Sequence, residues 1–256
     1  VIDSHTHIFL CERPEAEVVA AAREAGVERM LNVGLDAESN ELALAAAKHY
    51  DTVFAAVGCH PTEAAGFDEA RAEAIVALAA ENEKVRAIGE TGIDYYRESA
   101  SRVDQRRAFE AQIDIARERN LPIVIHARDP EDETGAIDDV FEILDARGAG
   151  VKVILHCFLA PRRVDDAIER GWFCSFSGIV TFPSAGELRE AAEKLPDELV
   201  LVETDAPYLA PQPMRGKPNE PAYVVSTAEV LAEVRGASYA ELEHTVEANA
   251  RSLFGW

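Results

Sequence analysis

Two histidines two residues apart, His5 and His7, close the short stretch that begins Val1-Ile2-Asp3-Ser4. In an extended segment, residues two apart point to the same side, so both imidazoles can reach one point. Imidazole is the commonest side-chain ligand of a catalytic metal. A His-x-His pair alone also occurs by chance in surface turns. The remaining histidines and two carboxylates change that balance. His60 follows an apolar run at 53–57, and Glu90 follows one at 85–89. His126 ends Ile123-Val124-Ile125, His156 ends Val153-Ile154-Leu155, and Asp205 comes just after a run at 199–202. Of seven histidines only His49 and His244 fall in helical stretches. Taken singly, each has an ordinary reading. A histidine at a strand end is more often a hydrogen-bonded structural group, and a carboxylate there can cap a helix. With His60 set aside, four imidazoles and two carboxylates at one mouth need a cation or a large desolvation cost. Six ligands exceed one tetrahedral site. Two divalent ions roughly 3.5–4 Å apart and sharing one carboxylate fit better.

The elements that must position these groups are legible as alternating runs. Apolar stretches at 1–3, 29–33, 53–57, 85–89, 122–125, 151–155, 172–175 and 199–202 alternate with helical patterns at 17–25, 38–49, 68–82, 105–119, 137–147, 163–170 and 185–195. The tail from Ala222 onward reads as helical, and 206–221 is a proline-rich irregular stretch. Apolar runs without alternation are the mark of strands covered on both faces. Eight βα units in 256 residues predict an α/β fold of the TIM (β/α)8 type, with the polar residues at strand C-termini, where barrel enzymes carry their sites. A doubly wound open sheet is disfavoured by the lack of a Gly-rich turn after the first strand. A single domain over 1–256 is expected.

The formal net charge is −22, and the 25 basic residues are 20 Arg and 5 Lys. Acid excess with scarce lysine predicts a halophile's acidic proteome, in which high salt screens self-repulsion. Such a charge argues against non-specific nucleic-acid binding but leaves room for a local basic site. No apolar run approaches the ~18 residues of a membrane span, and no signal-peptide pattern precedes Val1. Four cysteines without C-x-x-C spacing read as reduced thiols. A cytoplasmic protein with no membrane contact and no obligate protein partner is therefore expected. Cys59 and Cys157 adjoin ligand-type histidines, but chain neighbours alternate direction, so they are expected to pack.

The chain also resembles the TatD family of metal-dependent deoxyribonucleases, within the amidohydrolase-like barrels. The resemblance rests on Asp3-Ser4-His5-Thr6-His7, Val57-Gly58-Cys59-His60-Pro61, the stretch Ile88 to Tyr96, Ile125-His126-Ala127-Arg128-Asp129, His156-Cys157-Phe158, Ser177 to Phe182, Glu203-Thr204-Asp205-Ala206-Pro207-Tyr208-Leu209 and Arg215 to Pro221. It implies a phosphodiesterase acting on DNA, trimming single-stranded ends from the 3′ side through a water activated by two metals. It also implies that one ion takes His5, His7, Glu90 and Asp205, and the other Glu90, His126 and His156. His60 would line the substrate side and assist the leaving group, and Asp205 would accept the water proton. Mixed N/O ligands suit Mn²⁺ or Zn²⁺, with Mg²⁺ admissible where carboxylates and waters dominate.

Two departures touch places where a phosphate is held: Leu159-Ala160 replaces the family's usual Ser-Gly, and Pro183 replaces a usual Lys. Arg128, Arg215 and Tyr95 are expected on the substrate side. The two arginines belong to a basic collar with Arg97, Arg102, Arg106 and Arg107, set against Glu98 and Asp104, and with Arg162, Arg163 and Lys217. The alternative reading is a small-molecule amidohydrolase or phosphoesterase on the same binuclear barrel. Many such sites bridge their metals with a modified lysine after strand four, and Glu90 stands there instead. A metal-dependent binding protein without catalysis is a third reading, disfavoured by the complete ligand set.

Overall fold

The computed structural model describes residues 1–97, 99–131 and 133–256. Glu98, expected beside the arginines of the loop after strand four, lies outside the described residues. Eight strands form one sheet in sequence order: β1 Ile2–Thr6, β2 Arg29–Val33, β3 Val53–Val57, β4 Val85–Asp94, β5 Ile123–Arg128, β6 Val153–Leu155, β7 Phe173–Phe176 and β8 Val200–Val202. Between and after them lie α1 Glu15–Glu24, α2 Ala37–His49, α3 Glu69–Glu81, α4 Arg102–Arg119, α5 Gly135–Arg147, α6 Val164–Arg170, α7 Gly186–Lys194, α8 Val224–Val234 and α9 Tyr239–Phe254. The paired strands run parallel, and this is the (β/α)8 architecture of a TIM barrel. Most strand residues are buried whichever way they point, which explains runs of apolar residues without alternation.

The chain divides into two compact units. The first comprises Val1–Asn32, Tyr50–Val53 and His156–Trp256. Here the end of β1 meets the segment after β8: Thr6 bridges Ala206, His7 N–H donates to Ala206 O (2.8 Å), and Asp205 N–H donates to His5 O (2.9 Å). The tail is two helices rather than one. Gly236, at φ 65°, closes α8, and Ser238 opens α9 with a reciprocal capping box to Glu241. The N-terminal ammonium of Val1 pairs with Glu243 on α9 (2.7 Å).

The second unit comprises Val33–His49 and Phe54–Leu155. Strand β4 continues five residues past the expected end at Gly89, so Glu90 lies within the strand rather than after it. Likewise His126 lies inside β5, which runs on to Arg128. The extension is fastened by buried amides. Gln105 Oε1 accepts from Asp94 N–H (2.8 Å) while its Nε2 donates to Asp94 O (3.0 Å). Gln112 does the same for Cys59 at the end of β3 (2.8 and 3.0 Å) and donates to Thr91 Oγ1 (2.6 Å). These side chains satisfy strand-end backbone groups that would otherwise be buried unpaired. Gly92 is required where β4 approaches β5: at φ 140° a Cβ would sit 2.0 Å from the carbonyl oxygen of His126.

Candidate metal centre

In the first unit, His5 and His7 point to the same side, as their spacing predicts, with their Nε2 atoms 3.3 Å apart. Asp205 Oδ1 stands 3.5 Å from His7 Nε2 and 3.8 Å from His5 Nε2. His156 stacks on His5 with ring centroids 3.8 Å apart. Donor atoms of His5, His156 and Asp205 all fall within 4.8 Å of one another. Burial disfavours the Asp205 charge, but the His7 hydrogen bond and the neighbouring His156, His5 and His7 outweigh it. The carboxyl lies below its ordinary value. Its backbone is left-handed (φ 56°), a conformation that aspartate tolerates better than most residues.

Two buried acids stand behind this set. Glu203 Oε1 accepts from the Cys157 N–H (2.8 Å) and lies 3.1 Å from His156 Nδ1. That contact fixes the ring through Nδ1 and leaves His156 Nε2 on the side away from the carboxylate. Asp3 accepts from the backbone N–H groups of Thr204 (2.9 Å) and His5 (3.2 Å) and from Thr204 Oγ1 (2.5 Å). Full burial pushes Asp3 up to about 8 despite those bonds. Asp3 thereby ties the Asp205 segment to β1.

In the second unit, Glu90 Oε1 lies 2.7 Å from His126 Nδ1 and 3.5 Å from His60 Nε2. Donor atoms of His60, Glu90 and His126 fall within 4.8 Å of one another. Asp94 Oδ2 stands 3.1 Å from His126 Nε2, so His126 is gripped between two carboxylates of one strand. Burial raises Asp94, but the His126 hydrogen bond and the Arg97 N–H carry it below its ordinary value. His60 Nδ1 accepts the Thr62 N–H (3.2 Å), which assigns the ring proton to Nε2, facing Glu90. Burial holds His60 below its ordinary value, outweighing the pull of Glu90.

Imidazoles and carboxylates that converge in a largely buried place are what a divalent cation neutralises. The donor chemistry of both sets fits such an ion. Cys59 and Cys157 do not add to it. Burial pushes their thiols up to about 11 and about 12, and their sulfurs meet Arg71 Nη2 (3.1 Å) and Ser177 Oγ (3.4 Å). All four cysteines are free.

The expected substrate-side residues have distinct surroundings. Tyr95 is 8% exposed; its hydroxyl donates to Asp139, and Arg102 lies 3.7 Å over its ring. Arg128 lies 4.0 Å over Tyr96, and Arg215 lies 4.6 Å over Phe182. Other members of the expected collar are neutralised by acids: Arg106 by Glu110 and Glu142, Arg107 by Asp104, Arg163 by Asp166. At 183, where Pro stands in place of the family's usual Lys, the Pro183 carbonyl accepts from Arg189 (3.2 Å). No helix among the described residues is long and apolar enough to cross a membrane.

Asp94, Glu203 and Asp3 are roles the motif reading missed. Alternation signals all three: Asp3-x-His5-x-His7, Glu90-x-Gly92-x-Asp94 and Glu203-x-Asp205 each place acids at the parity of the ligand-type residues.

A family model described as TatD related DNase matches residues 2–255. The chain is 37% identical over 258 residues to an uncharacterized metal-dependent hydrolase, YabD, of Bacillus subtilis (strain 168), covering 99% of this chain and 98% of that protein. It is 38% identical over 249 residues to a protein of Klebsiella pneumoniae (strain 342) named 3'-5' ssDNA/RNA exonuclease TatD, covering 95% and 92%. The crystal structure of YJJV, a TatD homologue from Escherichia coli K12, superposes with a TM-score of 0.89 at 25% identity, over 100% of this chain and 98% of that one.

Proposed function

We propose that this chain, which belongs to the TatD-related DNase family and is a metal-dependent hydrolase, trims single-stranded DNA from the 3′ end. The observation that carries this reading is the pair of buried donor sets, His5–His7–His156–Asp205 and His60–Glu90–His126. Divalent ions, Mn²⁺, Zn²⁺ or Mg²⁺, would be held by His5, His7, His156 and Asp205 in the first unit and by Glu90 and His126 in the second. Such ions, when bound, acidify water toward neutrality and offset charge on the phosphate.

The protein's own groups supply the remaining steps. Asp205, kept charged by its histidine neighbours, accepts the proton of the attacking water at Oδ1. His60 carries its proton on Nε2 and lends it to the leaving oxygen. Glu203 and Asp94 keep His156 and His126 in one tautomer and one orientation. Residues 1–256 act as one hydrolase domain in a cytoplasm of high salt.

Arg128 and Arg215 hold substrate rather than take part in the chemistry. Alanine at either position raises KM about tenfold and leaves kcat within about twofold. A site with so few phosphate contacts also has a shallow salt dependence. Steady-state kinetics across a salt series read both expectations; a fall in kcat with unchanged KM contradicts them.

The acidic surface predicts a second salt effect. Screening relieves carboxylate repulsion, so the thermal midpoint rises by about 5 °C or more from low to molar KCl. A flat or falling midpoint removes the halophile reading.

The direct test of polarity uses single strands labelled at one end. Shortening from the 3′ end supports the reading. Intact strands, with turnover of small amide or phosphoester substrates instead, favour the small-molecule hydrolase.

A further inference from the structure

Tyr95 and Tyr96 are neighbours with opposite fates. Tyr95 turns inward and is held at Asp139. Tyr96 turns outward and is 55% exposed, an unusual place for a large aromatic ring beside a buried polar site. Its backbone surroundings are fixed on both sides. Tyr95 N–H donates to Arg128 O (2.8 Å), and Arg97 N–H donates to Asp94 Oδ1 (2.7 Å). The β4–β5 register sets Gly92 beside His126 and Asp94 beside Arg128. The ring is thus anchored two residues beyond the acid that grips His126. The Arg128 guanidinium covers the ring at 4.0 Å. Arg102 and Arg215 also lie over aromatic rings, but those rings belong to the inward-turned Tyr95 and to Phe182, whereas the ring under Arg128 is the exposed Tyr96.

We propose that Tyr96 and Arg128 form a stacking platform for the nucleobase at the end of the strand. This rests on the nucleic-acid reading above and assigns a part of the substrate, the base, that the metal-type residues cannot recognise. A nucleobase stacks on an aromatic ring irrespective of its identity, because every base has a π face. Arginine contributes a cation–π contact to the ring and a positive charge for the adjoining phosphate. The buried donor sets act on the phosphodiester, and the platform fixes which one is presented. Fixing it through the base leaves no requirement for sequence and few phosphate contacts, which suits a protein of this net charge.

The test compares strands ending in an ordinary nucleotide with strands ending in an abasic one. Tyr96→Ala raises KM about tenfold or more on the first and leaves kcat within about twofold. On the abasic end it changes KM less than about twofold. Tyr96→Leu, which keeps apolar bulk under Arg128, behaves like alanine; Tyr96→Phe and Tyr96→Trp behave like wild type. As a binding readout, 2-aminopurine at a phosphorothioate-protected 3′ end is quenched by wild type and by Tyr96→Trp, and not by Tyr96→Leu. Equal effects on both ends, no effect on either, or unchanged quenching with Tyr96→Leu overturns the platform alone. A wild-type enzyme that hydrolyses no strand overturns the nuclease reading and the platform with it.

Discussion

Glu90→Gln is expected to lower hydrolysis of single-stranded DNA by at least ~10²-fold while the protein stays folded. Glutamine fills the same space and keeps one acceptor, so packing within β4 is undisturbed. What disappears is the negative charge beside His126 Nδ1 (2.7 Å) and His60 Nε2 (3.5 Å). His126 then loses the carboxylate with which it would hold an ion, and the His60 Nε2–H loses its acceptor. Asp94 continues to hold His126 from its other nitrogen, which is why the loss falls on cation binding and chemistry and not on the fold. Activity, metal content and the thermal midpoint are measured on the same preparation. Near-normal activity at full metal occupancy would contradict the assignment of Glu90.

The second large effect is expected at Asp205, where asparagine should cost ~10³-fold or more. On the proposed reading this residue has two duties, a ligand atom and the proton acceptor, and a general base alone contributes ~10²–10⁴-fold. Asparagine also tolerates the left-handed backbone, so the segment keeps its N–H bond to His5 O (2.9 Å) and its carbonyl bond from Tyr208 N–H (2.9 Å). The substitution therefore isolates the charge. Neutralising it leaves His5 and His7 facing an amide that cannot take a proton from water. A parallel Asp205→Glu variant keeps the charge but displaces it, and should recover metal binding more than rate. If Asp205→Asn retains more than a tenth of wild-type turnover, Asp205 is not the acceptor.

The strands were legible because all eight lie in apolar runs, and a buried parallel strand needs nothing subtler. Some helices end at a glycine, as α6 does at Gly171, and the Asp36 side chain accepts from Ser39 N–H (2.8 Å) at the start of α2. The length of β4 was not legible. Glu90, Thr91 and Gly92 look like the start of a loop, but the strand runs on beside β5, and Gln105 and Gln112, on a helix, reach back to bind Asp94 and Thr91. Non-local hydrogen bonds of that kind leave no periodic trace. The tail reads as helical throughout, and its division into two helices falls at Gly236, whose positive φ follows α8. At the site, the histidines announced themselves by position. Asp94 and Glu203 carried only the fainter signal of alternation, since a carboxylate two or four residues from another also reads as a helix cap until the partner imidazole is seen. The collar was overdrawn for an electrostatic reason: with 47 acidic residues available, Arg106, Arg107 and Arg163 find partners on their own helices or turns.

The central claim is that the two donor sets bind divalent ions and use them at a free DNA end. It is tested most directly by comparing linear and covalently closed circular single strands of one sequence, each with the metal-loaded and the chelator-stripped protein. The account predicts progressive shortening of the linear strand by the loaded protein alone, and circles that stay intact over the same interval. Rapid cutting of closed circles, or equal degradation after the ions have been removed, would contradict it.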